Sequence, residues 1–347
     1  MNNILSITPS TLSLITTYKC TSQCADCCFE CGPQRKEMLK LQYLINYVDR
    51  AINAFPSIGI IVITGGECFL LGDNLYELVK YINSKKLSCR IVTNGYWAKT
   101  RETAFDVLSK LKDAGLNEIN FSTGDDHLEF VPIEYIKNGI IASMSLNIMT
   151  LVNVEYGINR TFDLRNITED TDIKQYLFPN RKISPLGIVN GLWMPFTKES
   201  LQKIEEQLPF NTNKNIGRCE NLFNTLTITP NHRMIACCGL PATYIRYLDL
   251  GNARTGNLKS LYDNQFNDFL KIWLYVEGPY KILLFISEKI GKENVKELSL
   301  NSHTCFYCAC IFSNQIYMEI IKKSYQDVYS IVMFKYFILK RRKNEKK

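Results

Sequence analysis

At 347 residues the chain is long for one ordinary domain but suits a large strand-helix barrel with a smaller unit attached. With 46% hydrophobic and 22% charged residues it is neither disordered nor fibrous, and a sizeable core can be buried. The formal charge of +7 would suit nucleic acid if it were spread over a face. Instead Lys340, Arg341, Arg342, Lys343, Lys346 and Lys347, set against Glu345, concentrate it in the C-terminal tail, and no nucleic-acid partner is expected.

The opening residues, Met1 to Lys19, carry no basic stretch ahead of an apolar run, and no apolar stretch reaches spanning length. A cytoplasmic chain is expected. There, 13 cysteines stay reduced and serve metal or redox chemistry rather than disulfides.

From Thr11 to about Leu186 short β-rich runs alternate with helix-patterned runs, which predicts parallel strands joined by helices. The predicted strands are Leu12 to Thr16, Gly59 to Thr64, Ser88 to Asn94, Glu118 to Ser122, Ser145 to Thr150 and about Lys182 to Leu186. Apolar spacing of three and four predicts helices over Glu37 to Ala54, Asn74 to Ser84, Arg101 to Ala114 and Ile133 to Ile141, with a fifth near Asn166 to Leu177. Asp73 and Thr100 suit N-caps, and Gly115 a stop. Six strand-helix units fall short of eight-fold closure, so the expected class is α/β, a partial (β/α)6 TIM-like barrel with its chemistry at the C-terminal strand ends.

Beyond the barrel, Thr197 to Glu206 reads as a helix, and Leu226 to Thr229 with Met234 to Cys237 as a hairpin around Pro230-Asn231. A composition shift near Asn211 divides the chain into 1–210, a smaller unit 211–313, and a terminal helix with basic tail 314–347. Helical patterns at Asn257 to Leu274 and Lys281 to Ile290 precede a cysteine cluster at Cys305 to Cys310. The terminal helix, with Tyr317, Ile321, Tyr325, Val328 and Val332 on one side, is read as covering the barrel or the second unit in preference to touching an anionic membrane surface.

Just past the first strand lies Cys20-Thr-Ser-Gln-Cys24-Ala-Asp-Cys27. Three thiolates on a cubane iron-sulfur cluster leave one iron open to a small molecule, and the amino and carboxylate groups of S-adenosylmethionine suit that position. Spacing alone leaves a zinc site open. The motif resembles the signature of the radical S-adenosylmethionine (SAM) superfamily, and it stands at that family's place after strand one. Strand two ends in Thr64-Gly65-Gly66-Glu67, matching the family's GGE motif. The resemblance implies close backbone approach at Gly65 and Gly66 and acceptance of the cosubstrate ammonium by Glu67. It further implies ribose or methionine contacts at Asn94 and Ser122, and at Asn147 in strand five. Two departures are Asp26, where an aromatic often stands, and Cys68, where proline commonly follows GGE. Cys28 and Cys31 are extra thiols without an assigned role, and Cys89 is expected in the core.

The C-terminal half offers Cys219, the pair Cys237-Cys238, and Cys305-Phe-Tyr-Cys308-Ala-Cys310. Cys219, Cys237, Cys305 and Cys308 are the expected ligands of an auxiliary [4Fe-4S] cluster, with Cys310 in reserve and a zinc ribbon as the alternative. The arrangement resembles the SPASM/Twitch extension of radical enzymes. There a glycine usually lies five positions before the second hairpin cysteine. His232 is there instead, which leaves the turn geometry open. Successive side chains of an extended run point to opposite faces, so Cys238 would stand apart from the cluster that Cys237 holds, as a hydrogen-atom donor or, in the alternative, as a buried and inert thiol.

Further stretches, Cys27-Cys28-Phe29, Thr93 to Trp97, Ser122 to Val131 and Pro230 to Cys238, resemble the radical epimerases that convert L- to D-residues in ribosomally made peptides. That resemblance implies a precursor peptide as partner, Cys238 as the catalytic hydrogen donor, and an external electron donor of flavodoxin or ferredoxin type. A peptide maturase forming a thioether or carbon-carbon crosslink is the alternative within the superfamily, and a non-catalytic zinc protein the alternative outside it. His127 and His303 are read as packed or solvent-facing.

Overall fold

The computed structural model describes residues 6–156, 160–177, 186–192, 217–299 and 303–345. The helix expected at Thr197 to Glu206, the boundary near Asn211 and the start of the sixth predicted strand lie outside them. Two compact units are formed, one from Thr11–Pro195 with Ile228–Asn231, the other from Met1–Ser10, Phe196–Thr227 and His232–Lys347.

The first unit is a six-stranded parallel sheet with sequential neighbours, β6-β5-β4-β3-β2-β1. Its elements run β1 (Thr11–Ile15), α1 (Leu41–Ala54), β2 (Ile60–Thr64), α2 (Asp73–Ser84), β3 (Ser88–Thr93), α3 (Arg101–Ala114), β4 (Glu118–Thr123), α4 (Asp125–Leu128), α5 (Ile133–Ser145), β5 (Met149–Tyr156), α6 (Arg165–Thr168), α7 (Thr171–Leu177) and β6 (Leu186–Leu192). This is the expected partial (β/α)6 barrel. Local chemistry sets its boundaries. The Thr100 hydroxyl accepts from the Thr103 amide and starts α3, while Gly115, at φ 107°, ends it in the left-handed region. Gly72, rather than Asp73, occupies the N-cap of α2.

Strand five departs from expectation. The helix before it continues to Ser145, Asn147 turns the chain at φ 53°, and β5 begins only at Met149. Apolar residues from Met144 to Ile148 serve the end of the helix and the approach to the strand alike, so their pattern does not mark the join. Asn147 therefore lies outside the strand, exposed, at the end opposite the one where the strand finishes.

One face of the sheet packs on helices. Phe121 of β4 is fully buried, and a Cβ on Gly139 of α5 would stand 2.6 Å from its ring. Alternation turns Glu118, Asn120 and Ser122 to the other face. There Ser122 is paired in register with Asn153 of β5, and Arg90 of β3 pairs Glu118 at 2.8 Å. On β4 the face without helices is thus polar, with Leu151 of β5 and Val62 of β2 beside it on the same face.

The second unit comprises β7 (Thr225–Ile228), β8 (Arg233–Ile235), β9 (Asp249–Asn252), α8 (Leu258–Asp263), α9 (Phe269–Glu277), α10 (Pro279–Ile290), α11 (Thr304–Ser313), α12 (Gln315–Ser324) and α13 (Gln326–Glu345). The single helix expected over Asn257 to Leu274 is broken at Asp268, whose carboxylate caps α9 by accepting from Leu270 N. Its core centres on Phe223, stacked on Phe266 at 4.5 Å, with the buried Tyr262 hydroxyl sharing its one hydrogen between the carbonyls of Ile7 (2.6 Å) and Phe223 (2.8 Å). His232 adopts φ 58° at the turn into β8, the left-handed conformation that a glycine supplies more readily.

Phe121→Ala is expected to destabilise the first unit by about 3–5 kcal/mol, because α5 and the Trp97 ring beside it cannot collapse fully into the vacated volume. A urea unfolding series on the two proteins measures the loss.

Candidate active site

The cysteine loop begins where β1 ends, and backbone contacts tie it to the exit of β2. Gly66 N donates to Thr17 O at 2.7 Å and Glu67 N to Lys19 O at 2.9 Å. A Cβ on Gly66 would stand 2.2 Å from Lys19 O, and one on Gly65 2.6 Å from Thr17 O, so both glycines are required by this approach. The tie fixes the root of the loop that carries Cys20, Cys24 and Cys27.

Glu67 takes a different position from the one expected. Its side chain is fully buried, and its carboxylate accepts from Phe69 N (3.0 Å), Asn94 N (2.8 Å) and the Thr93 hydroxyl (2.9 Å). With its oxygens committed to β3 and the turn after β2, it is a brace rather than an open acceptor for an ammonium. Burial raises its pKa to about 7 despite those donors. Asn94 is likewise a brace: its amide donates to Thr21 Oγ1 (3.0 Å) and Ser22 Oγ (3.1 Å) and approaches Cys20 Sγ at 3.6 Å. Asn94 thus binds the cysteine loop to the end of β3.

The three thiols act on one another electrostatically, as groups gathered on one loop do. Burial raises Cys20 to about 11 and Cys24 further, with the charge on Cys27 adding to both. Cys27 moves the other way, to about 6. The Cys31 side chain hydrogen-bonds to it, and the Cys31 amide donates to its sulfur at 3.4 Å. The extra thiol Cys31, buried, thus has a role: it stabilises the Cys27 thiolate. Cys68 is fully buried with its sulfur 3.4 Å from Val92 O, and Cys89 is in the core as expected.

Sequence reasoning missed a charged network at the ends of β4 and β5. Arg160 pairs with Asp26, with Asp126, and with Glu155 at 2.9 Å. Asp126 Oδ2 accepts from Asp26 N and Glu155 Oε2 from Asp126 N, each at 2.8 Å. The residue where an aromatic often precedes the third cysteine therefore joins the loop to two strands by charge. A Cβ on Gly124 would stand 2.2 Å from Glu155 Cβ, so the close approach requires glycine there. Desolvation raises Glu155 to about 8. Asn153, the register partner of Ser122, was also missed, and its buried Oδ1 has no hydrogen-bond partner among the described residues, an acceptor that a bound molecule could use. Ser122 itself is buried at the end of β4. Asn147, displaced from β5 as described, is not part of this group.

In the second unit Cys219, Cys237, Cys305 and Cys308 line one pocket. Cys305 and Cys308 are three apart on α11 and share a side, whereas Cys310, five on from Cys305, is turned away and buried. His303 caps that helix, its Nδ1 accepting from Cys305 N at 3.2 Å. A Cβ on Gly239 would stand 3.1 Å from Cys305 Sγ and 3.6 Å from Cys237 Sγ, which brings the hairpin and helix thiols to one place. Burial and the neighbouring thiols raise Cys237 and Cys308, and take Cys305 to about 12. Four converging thiols held neutral by burial suit a closed metal or cluster site, since metal binding displaces the protons. Cys238 is exposed, although Cys237 beside it is buried.

Residues 14–126 match the Radical SAM superfamily. Among known proteins, YydG of Bacillus subtilis (strain 168), named for peptide biosynthesis, is 25% identical over 128 residues, 37% of this chain and 40% of YydG. The alignment thus spans well under half of that relative. The fold resembles that of native anSMEcpe with bound AdoMet (TM-score 0.54, 12% identity, 93% of this chain and 99% of the other). It also resembles native anSMEcpe with bound AdoMet and Kp18Cys peptide (TM-score 0.53, 13% identity, 93% and 99%).

Two outcomes are expected here. Arg160→Met leaves Asp26, Asp126 and Glu155 without their cation, which should cost about 3 kcal/mol and lower the iron retained after anaerobic reconstitution, while Arg160→Lys recovers part of both. Iron per chain and a urea midpoint report this. Separately, folded Glu67 holds its proton more tightly than an unfolded glutamate. The stability it contributes is complete below about pH 4.5 and is lost as pH rises through about 7, roughly 3 kcal/mol in all. Glu67→Gln should flatten that dependence in urea unfolding of the metal-free chain at pH 5 and pH 7.5.

Proposed function

We propose that this chain, whose residues 14–126 match the Radical SAM superfamily, is an enzyme of the cytoplasm that epimerises a residue of a ribosomally made precursor peptide. The relative named for peptide biosynthesis supports a peptide substrate. The contrasting environments of two adjacent thiols support epimerisation. Cys237 is buried in a pocket of cysteines and Cys238 is exposed, so one can ligate while the other meets substrate.

Cys20, Cys24 and Cys27 would hold a [4Fe-4S] cluster, which when bound would supply the electron for reductive cleavage of S-adenosylmethionine and so the radical chemistry that removes the peptide Cα hydrogen. The chain's own residues do the rest. Gly65, Gly66 and Glu67 fix the root of the cysteine loop, Asn94 holds its first turn, and Ser122 with Asn153 presents polar atoms at the strand ends. Cys238 gives the hydrogen of its thiol to the opposite face of the Cα radical, which its two flanking amides stabilise, and inversion follows. One electron and one proton then restore the thiol. A second cluster on Cys219, Cys237, Cys305 and Cys308 would supply that electron, drawn from a flavodoxin- or ferredoxin-type donor.

The test is anaerobic incubation of reconstituted enzyme with S-adenosylmethionine, dithionite and a precursor peptide encoded beside it, in deuterated water. Expected are 5′-deoxyadenosine and a one-dalton gain at a single Cα by mass spectrometry. Cys238→Ala should abolish the gain and still release 5′-deoxyadenosine. A peptide lighter by two hydrogens overturns epimerisation in favour of crosslinking, and stoichiometric zinc without iron overturns the whole reading.

A further inference from the structure

The final helix is apolar on two sides. Val332 and Tyr336 of α13 are fully buried, with Tyr336 set against Tyr275 of α9 (ring centroids 6.1 Å apart). Tyr329 packs beside Phe269 at 5.1 Å, and Lys335 Nζ pairs with Glu277 at 2.5 Å. The covering role expected for this helix is met by that face. At about 100° per residue, however, Ile331, Phe334 and Ile338 fall on the far side, with Phe337 flanking them. Their exposures are 49%, 62%, 39% and 45%.

Four large apolar side chains turned to water on one anchored helix are not scattered surface residues. The same stripe continues into exposed Arg341, and the sequence from Lys340 to Lys347 holds six basic residues against Glu345. A second copy of the chain would meet this patch through the same patch and bring like charges together. No described helix is long and apolar enough to cross a membrane. Bulky apolar residues running into a cluster of cations suit the plane of an anionic bilayer, where the rings enter the acyl boundary and the cations meet headgroup phosphates.

We propose that the outer face of α13, through Ile331, Phe334, Phe337 and Ile338 with Arg341 and the basic tail, docks the protein reversibly on an anionic membrane surface. The α9 contacts present that face rigidly, so binding requires no refolding of the helix.

Flotation of the full-length chain with vesicles tests this. Binding is expected to phosphatidylcholine vesicles containing phosphatidylglycerol, to be weak to phosphatidylcholine alone, and to fall as salt rises. Phe334→Ser with Phe337→Ser should abolish it without lowering the urea midpoint, since both side chains are exposed. Arg341→Glu, which removes one positive charge and adds a negative one, should weaken it roughly fivefold per unit of charge changed. No binding to the anionic vesicles, or binding indifferent to the double substitution, overturns the proposal. So does a concentration-dependent dimer in sedimentation velocity that the same substitution dissolves, which would assign the face to a second copy.

Discussion

The arrangement of the first unit's site depends on one approach between two stretches of backbone. The turn after β2 lies against the root of the cysteine loop so closely that two amide hydrogen bonds form where any side chain on Gly65 or Gly66 would collide with carbonyl oxygens. One set of bonds that orients the loop of Cys20, Cys24 and Cys27 is built outward from that contact. Glu67 extends it to β3 through Thr93 and Asn94, and Asn94 returns to the loop through Thr21 and Ser22. The loop packs Cys20, Cys27, Phe29 and Cys31 against Ile15 and Tyr18, and hydrogen bonds to buried neighbours add the directional constraint that apolar contact lacks.

A second tie closes the loop from the other side by charge. Three carboxylates around one guanidinium would repel one another strongly if left alone, and their burial makes the guanidinium indispensable to their coexistence. The two ties differ in kind. Main-chain hydrogen bonds at the root are insensitive to side-chain identity apart from the glycines, whereas the ion network depends on four particular side chains. Change at the root is therefore limited by volume, and change at the far side by charge.

Much of the architecture was legible because local signals and periodicity agreed. Helix α3 begins and ends where its spacing, its Thr100 cap and Gly115 place it, and the strand core of β2 is a continuous apolar run. Strand five was misjudged because an apolar run bridged the end of α5 and the approach to β5, although Asn147, in a left-handed turn that asparagine tolerates, marked the join. The three loop cysteines and the GGE segment stood out by their spacing. Arg160, Asp126 and Glu155 were not, since they come from separate elements and no interval in the chain relates them. The role of Glu67 was misjudged for a related reason: a motif names a residue type, while the bonds that consume its oxygens come from Thr93 and Asn94.

The hydroxyl of Tyr262 holds the carbonyl of Ile7 across 255 positions of chain. During synthesis the parallel sheet can assemble as soon as its six strands have emerged, but Ile7 and Ser10 ahead of β1 meet Tyr262 and Asn224 only once the ribosome has delivered those later residues. The C-terminal unit is therefore the last to close. Its assembly draws on the earliest-made residues of the polypeptide, so a deletion or bulky fusion near the N-terminus would register as a fault in the cysteine pocket's domain rather than in the barrel that follows it in sequence.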